Sequence, residues 1–151
     1  MTFEALDNQS PIWAYQADRA LTNEEKAFIL KEMAIFFDEW ESHGEKLHGA
    51  IELVDNYNLI IGVKQPEGKM CGGSVDSLFR FLKSMGTHLK VDFFNRLKVV
   101  TVDDNKQLEV VPFFQLENFP NRLMFNLSVK TKEELLNGYK IQVKDYLTSL
   151  V

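Results

Sequence analysis

A turn signal at Asp55-Asn56 lies between two strand candidates, the runs 48–55 and 57–64, and constrains the fold more than any other feature of the chain. Each run has the length of a strand, and a short polar turn between two such runs is typical of a β-hairpin. We therefore predict an antiparallel pair in the middle of the chain, to which the other elements must be fitted.

Thr22-Asn23-Glu24-Glu25, upstream of this hairpin, is a capping box. The threonine oxygen accepts from the N–H three residues on, and Glu25 reaches back to the first N–H. The helix that begins there carries an apolar stripe at helical spacing, and Gly44 is its expected end. The stripe consists of Phe28, Ile29, Met33, Phe36, Phe37 and Trp40.

A second amphipathic helix is predicted over residues 75–87, after a loop at 65–73. Its apolar side consists of Val75, Leu78, Phe79, Leu82 and Met85. The remaining predicted elements are strands at 11–17, 98–102, 107–111 and 123–129, helical turns at 91–97 and 113–116, and a brief helix from the capping box Thr131–Glu134 to Gly138.

This order of elements predicts an α+β fold, a two-layer sandwich in which two main helices lie on one face of a mostly antiparallel sheet. The first six elements have the βαββαβ order of the ferredoxin-like fold, with an added hairpin and C-terminal elements. Element order leaves the arrangement of the strands open. A length of 151 residues with 45% hydrophobic content fits a single domain over residues 1–151.

Composition excludes several classes of partner. The formal net charge is −5 and the lysines are scattered, whereas binding to nucleic acid needs a concentrated basic surface. No apolar run is long enough to span a bilayer, and the N-terminus lacks the pattern of a signal peptide. A single cysteine excludes an internal disulfide framework. We expect a cytoplasmic protein with neither a nucleic-acid nor a membrane partner.

Gly62 and Gly68-Lys69 superficially resemble the phosphate-binding loop G-x-x-x-x-G-K-[ST]. Five residues separate the two glycines where that motif has four, and Met70 stands where a hydroxyl must bind magnesium. The sequence therefore does not predict a P-loop ATPase.

The corner Gly72-Gly73-Ser74, at the predicted start of the second helix, is the first candidate ligand site. Its glycines allow close approach of a ligand to the backbone, and free N–H groups at a helix start attract polar or anionic groups. Ser74 or Asp76 is the expected cap, and the corner is equally compatible with a cap that binds nothing. The carboxylate of Asp76 weakens the case for an anion.

His43 is added to this candidate site, whereas the histidines do not predict a metal centre. His43 and His48 are five residues apart, not at the i, i+4 spacing of two ligands on one helix face. His43 and His88 both fall at predicted helix ends, where a cation stabilises the helix. We expect no metal and no cofactor.

Cys71, next to the glycines, would be a nucleophile if a base lay nearby, because a helix start lowers the pKa of a thiol. The sequence thus leaves open a hydrolase or transferase, with Ser74 or Cys71 as nucleophile and Asp76 or His43 as acid or base. No signature of a cysteine enzyme surrounds the thiol.

Trp13, Tyr15 and Arg19 form the third part of the candidate site. Alternation along a strand places the two aromatic rings on one face, with Arg19 just beyond the strand end. They are either a ligand wall with an anion-binding guanidinium or ordinary core aromatics beside a surface arginine.

Three segments, Trp13–Thr22, Trp40–Leu47 and Gly72–Ser77, resemble an uncharacterised bacterial family of similar length. Its members read W-x-Y-Q-A-x-R, W-x-x-H-G and G-C-S-I-D in that order and are often labelled ABC transporter ATPase. In this chain Gly73 stands at the cysteine of the third motif, and Cys71 lies two residues earlier. The resemblance implies no known activity, and the sequence has no Walker A motif to support the ATPase label.

These observations favour a non-catalytic module that binds a small polar molecule or a protein partner. Its predicted site lies between the Gly72–Ser77 corner, the Trp13–Arg19 segment and the His43-Gly44 turn. The alternatives are the hydrolase or transferase described above and a homodimer that uses a sheet or aromatic face as its interface.

Overall fold

Helices and strands are interspersed along the chain in the computed structural model, which describes residues 1–64 and 70–151. Within those residues the elements are, in chain order, β1 (Ile12–Gln16), α1 (Asn23–Glu39), β2 (Glu41–Ser42), β3 (Glu45–Lys46), β4 (Gly49–Val54), β5 (Asn58–Val63), α2 (Gly72–Leu89), β6 (Lys98–Val102), β7 (Leu108–Pro112), β8 (Leu123–Phe125), α3 (Lys132–Gly138), β9 (Lys140–Gln142) and α4 (Val143–Ser149). Two 3₁₀ helices, Phe3–Ala5 and Phe113–Asn118, complete the set. The prediction of an α+β fold with antiparallel sheets is confirmed.

The predicted central hairpin is confirmed as β4 and β5, which belong to a three-stranded antiparallel sheet of order β1-β5-β4. All six residues of β5 are buried, because this strand has neighbours on both edges and cover on both faces. α1 and α2 pack on one face, as expected for the two main helices. The first 3₁₀ helix and the region around α3 cover the other face, where a Cβ at Gly62 would lie 2.5 Å from Leu6.

The capping box of α1 forms as predicted, and its Glu25 also forms an ion pair with Arg19. Thr22 Oγ1 accepts from the N–H of Glu25, and a carboxylate oxygen of Glu25 accepts from the N–H of Thr22. The guanidinium of Arg19 donates to both carboxylate oxygens of Glu25, at 2.9 and 2.7 Å. This hydrogen bonding lowers the pKa of Glu25 from 4.5 to about 2.

A second sheet has the order β7-β6-β8-β9 and its own apolar core. The 3₁₀ helix Phe113–Asn118 and α4 cover one face of this sheet. Leu116 and Val143 are fully buried there. The predicted hairpin of β6 and β7 and the capping box of α3 are confirmed, and Gly138 ends α3.

The side-chain amide of Gln16 joins the two sheets. Its Nε2 donates to Asn58 Oδ1 at 2.9 Å, and its Oε1 accepts from the N–H of Val100 in β6 at 3.2 Å. Gln16 and Asn58 are both buried. Because β8 pairs with β6 only at Thr101 and Val102, the N–H of Val100 bonds to this side chain instead of a strand carbonyl.

The strand arrangement is not ferredoxin-like. A ferredoxin-like fold would keep the first four main strands in one sheet. Here β6 belongs to a sheet separate from β1, β4 and β5, and β1 pairs antiparallel with β5.

Two predicted helix boundaries are wrong. α1 ends at Glu39 and not at Gly44, because Trp40 turns into extended backbone and leads into the small hairpin of β2 and β3. α2 begins at Gly72 with Cys71 as the N-cap residue, so neither Ser74 nor Asp76 is the cap.

The expected helical turn at 91–97 and the full strand at 123–129 are also wrong. Asp92 and Asn95 accept hydrogen bonds from backbone N–H groups two residues on, which holds this segment in turns. Asn126 does the same to Ser128, so β8 ends at Phe125. Gly68-Lys69, the pair that resembles the end of a phosphate-binding loop, lies outside the described residues.

Replacing Glu25 by Gln tests the ion pair with Arg19, because glutamine retains the capping geometry but not the charge. We expect a loss of about 0.5–1 kcal/mol at pH 7, a size set by partial solvent exposure. The pKa of Glu25 is lowered on folding, so its contribution is complete above pH 4.5 and is lost as the pH falls toward about 2. Urea unfolding at several pH values measures this slope, with Glu24→Gln as the control. An equal pH slope in the wild type and Glu25→Gln would contradict the assignment.

Replacing Gln16 by Leu removes the amide between the sheets and leaves the Val100 N–H and the Asn58 carboxamide without partners. We expect destabilisation by about 2–5 kcal/mol, since two buried polar groups lose their hydrogen bonds. Urea unfolding measures it against Gln107→Leu, an exposed glutamine whose replacement should cost less than about 0.5 kcal/mol. Equal effects of the two substitutions would show that the bridge is not structural.

Candidate functional site

Two of the three sequence motifs meet at the first turn of α2. The indole N–H of Trp40 donates to the backbone carbonyl of Ser74 at 2.9 Å, and the Ser74 hydroxyl donates to the carbonyl of Glu41 at 2.5 Å. Trp40 and Ser74 are both buried. The two bonds attach the hairpin of β2 and β3 to the helix, so Ser74 has a structural contact in place of the predicted cap.

His43 and Gly44 are the two central residues of that hairpin. Their φ angles are +53° and +78°, and a two-residue loop with both φ angles positive is the turn that suits a twisted hairpin. His43 is exposed. The backbone conformation of this turn therefore accounts for His43-Gly44 without a ligand.

Cys71 lies between the hairpin and the helix. Its backbone N–H donates to Ser42 Oγ at 2.9 Å, and its Sγ lies 3.1 Å from Ser74 Oγ. Hydrogen bonds from the Ser42 and Ser74 side chains and the Ser74 backbone, with a smaller charge effect of His43, lower the pKa of the thiol to about 6. The thiol is partly exposed.

The two serines are not equivalent as donors to the sulfur. A serine hydroxyl has one proton, and that of Ser74 is directed to the carbonyl of Glu41. Ser42 Oγ accepts from the N–H of Cys71, and hydrogen bonding by its side chain is the largest cause of the lowered pKa of the thiol.

The remaining residues of the corner have little structure around them. Gly72 and Gly73 are exposed, and a Cβ at Gly72 would meet nothing within 4 Å. Asp76 forms an exposed ion pair with Arg80, one helical turn further on. Among the described residues, nothing else bonds to the carboxylate of Asp76.

The residues of the first motif, Trp13, Tyr15 and Arg19, lie along the length of α2 and do not meet at the Gly72–Ser77 corner. Trp13 packs against Trp40, with ring centroids 6.2 Å apart, whereas Tyr15 packs against Phe94 at 5.4 Å. Arg19 donates to the carbonyl of Leu89, at the last turn of α2. An 18-residue helix is about 27 Å long, so Arg19 and the Gly72–Ser77 corner lie at opposite ends of it.

The geometry required of a hydrolase is a nucleophile hydrogen-bonded to a base. In the described part of the chain, no hydrogen bond joins Ser74 or Cys71 to His43. Nor do any three His, Cys, Asp or Glu side chains there lie close enough to hold a metal ion together. His88 instead stacks on Phe28, with ring centroids 5.0 Å apart.

A cavity of about 130 Å³ opens between the two sheets, next to the Gln16 bridge. β1 forms one wall and β6 with β8 the other, and their edges approach there without pairing. Water in the liquid occupies about 30 Å³ per molecule, so the cavity has room for several atoms of a ligand. Its aromatic lining consists of Tyr15, Phe93, Phe94, Phe125 and Tyr146.

The charged side chains that line this cavity are both positive, Arg96 and Lys98. Both residues are exposed, and no described residue forms an ion pair or side-chain hydrogen bond with either. A guanidinium and an ammonium with no carboxylate beside them favour an anionic group. The cavity therefore combines aromatic side chains with a cationic rim.

Of the site residues predicted from the sequence, only Tyr15 lines this cavity. Gln16 was the available signal, because a polar side chain within an apolar strand needs a buried partner. Arg96 lies in the segment predicted as a helical turn, and Lys98 follows that segment. No local sequence pattern indicates that these residues face β1. Only the approach of the two sheets brings them together.

Comparisons with protein-family models, with curated proteins and with solved structures find no match to this chain. The resemblance to the bacterial family therefore stays a prediction. Within the described residues, no helix is long and apolar enough to cross a membrane.

Replacing Ser42 by Ala tests the hydrogen bonding of Cys71. We expect the pKa of the thiol to rise from about 6 toward 9.0, and to rise less in Ser74→Ala, whose hydroxyl proton is directed to Glu41. The pH dependence of alkylation by iodoacetamide measures it, since the chain has one cysteine. Ser77→Ala, on the exposed side of the same helix turn, is the control. A midpoint that stays near pH 6 in Ser42→Ala would contradict the assignment.

Proposed function

We propose that this chain is a non-catalytic binding module whose ligand occupies the cavity between the sheets. The observation that carries the proposal is the lining of that cavity, in which aromatic rings surround a space with two unpaired cations and no carboxylate among the described residues. Half-enclosed apolar cavities with a few polar groups are the usual form of small-molecule sites.

The chemistry of the lining defines the ligand class. Arg96 presents a planar fork that matches a carboxylate, and Lys98 adds a second positive charge. Phe93, Phe94 and Tyr146 provide flat apolar surface for the rest of the molecule. A small organic anion with an aromatic or branched apolar body fits both requirements.

The catalytic alternative has less support. Ser74 is buried and hydrogen-bonded to Glu41, Asp76 is paired with Arg80, and His43 is exposed at a hairpin turn.

No observation favours the homodimer over a monomer, and the homodimer stays a prediction. The chain has one cysteine and therefore no internal disulfide, and the cytoplasm is the location we propose.

Charge matching between ligand and rim provides the test. A panel of aromatic and branched aliphatic carboxylates is compared with their primary amides, which have nearly the same shape and no charge. We expect some carboxylates at millimolar concentration to raise the melting temperature by about 2–4 °C, corresponding to about 1 kcal/mol of linkage. The amides should have a smaller effect, because they lack the charge-assisted hydrogen bonds.

The double variant Arg96→Gln/Lys98→Gln should lose the difference between carboxylate and amide. Its control is Lys31→Gln/Lys83→Gln, which removes the same net charge from exposed positions on α1 and α2. Isothermal titration of the best carboxylate into both variants completes the comparison. Equal binding to the two variants, or equal shifts by carboxylates and amides, would exclude the cavity as an anion site.

A further inference from the structure

The edge of β1 that faces the cavity has backbone groups without partners. Pro11 and Ala17, at the two ends of this strand, both form backbone hydrogen bonds with the β5 side. Because bonded residues alternate in an antiparallel pair, the odd-numbered residues between them also face β5. The N–H and C=O groups of Ala14 and Gln16 then point to the other edge. In the described part of the chain they meet no hydrogen-bonding partner there.

This open edge is short, because it is covered at both ends. At one end the N–H of Ile12 donates to the carbonyl of Lys130, at 3.0 Å. At the other end the side chain of Gln16 crosses to Val100 and closes the gap between the sheets. A long strand cannot pass through a window bounded in this way, whereas the end of a chain can enter it.

The window opens into a groove that is continuous with the cavity. The groove and the cavity share Ala14, Tyr15, Arg96, Leu127 and Ser128. Lys130 lines the groove as well, and no Asp or Glu does among the described residues. A positively charged chain end would be repelled from this surface, while a carboxylate would be attracted. The side chain of a terminal residue would meet the aromatic wall.

We propose that the ligand of the cavity is the carboxyl terminus of an extended peptide, whose last two or three residues pair with the edge of β1 at Ala14 while the α-carboxylate meets Arg96 and Lys98. This inference rests on the proposed function, since it uses the same cavity and the same cations. Strand addition at an open edge supplies main-chain hydrogen bonds, and the cavity selects the last side chain.

The test uses a pool of acetylated tetrapeptides of mixed sequence, each present as the free acid and as the C-terminal amide. Affinity selection on the full chain, read by mass spectrometry, should enrich free acids over the corresponding amides by about tenfold or more, the ratio expected for one charge-assisted contact. The Arg96→Gln/Lys98→Gln variant should lose this preference, and Lys31→Gln/Lys83→Gln should keep it. Equal enrichment of acids and amides would overturn the inference.

Backbone pairing is tested without changing the protein. The strongest free-acid tetrapeptide is resynthesised with N-methyl groups on its last two peptide nitrogens, which removes donors but leaves the side chains and carboxylate. We expect about tenfold weaker binding and, for the unmethylated peptide, slower hydrogen exchange at the amides of Ala14 and Gln16. Unchanged affinity after methylation, with no protection at these amides, would overturn strand pairing.

The small carboxylates separate this inference from the proposal on which it rests. If they bind through Arg96 and Lys98 while no peptide is enriched, the peptide inference is wrong and the anion site stands. If neither small carboxylates nor peptides bind, both are wrong. Enrichment of free acids that compete with the small carboxylates supports both.

Discussion

The side-chain amide of Gln16 is the interaction on which the rest of this structure depends. The two main sheets have separate apolar cores, and no strand pairing connects β1 to β6. Gln16 replaces that pairing with one hydrogen bond from each end of its amide, to Asn58 and Val100. Buried bonds of this kind are expensive to leave unmade, so the bridge fixes the spacing of the sheets as well as their contact.

The cavity is a consequence of this bridge. Two sheets that met edge to edge in full register would leave no space and no free backbone groups. One side chain takes the place of several strand-pairing hydrogen bonds. The edges of β1 and β6 are therefore close at Gln16 and separate beyond it. Aromatic side chains fill part of the opening, while Arg96 and Lys98 remain at its rim. Open edges are usually blunted in proteins, and charge at an edge is one means of doing so.

The motif residues illustrate how a pattern with apparent chemical content can serve the fold. Arg19 connects the capping box of α1 to the last turn of α2 through Glu25 and Leu89. Trp40 and Ser74 attach a small hairpin to the start of α2. Apart from the Arg19–Glu25 pair, these contacts join a side chain to a backbone carbonyl 33 to 70 residues away in sequence. They give the aromatic, arginine and serine residues of these segments structural roles, although the segments do not form one pocket.

The sequence by itself determined the local elements. The capping boxes at Thr22 and Thr131 and the turn at Asp55-Asn56 depend on neighbouring residues and form as predicted. The stripe of α2 forms in part, because Leu78, Leu82 and Met85 are buried whereas Phe79 is exposed. The turns after Asp92 and Asn95 were missed, although their side-chain hydrogen bonds are also local. Tertiary structure decided the rest: which strands share a sheet, where Arg19 bonds, and which residues line a cavity. The position of Arg96 and Lys98 opposite Tyr15 depends on contacts across about 80 residues of chain, and no local pattern encodes such a contact.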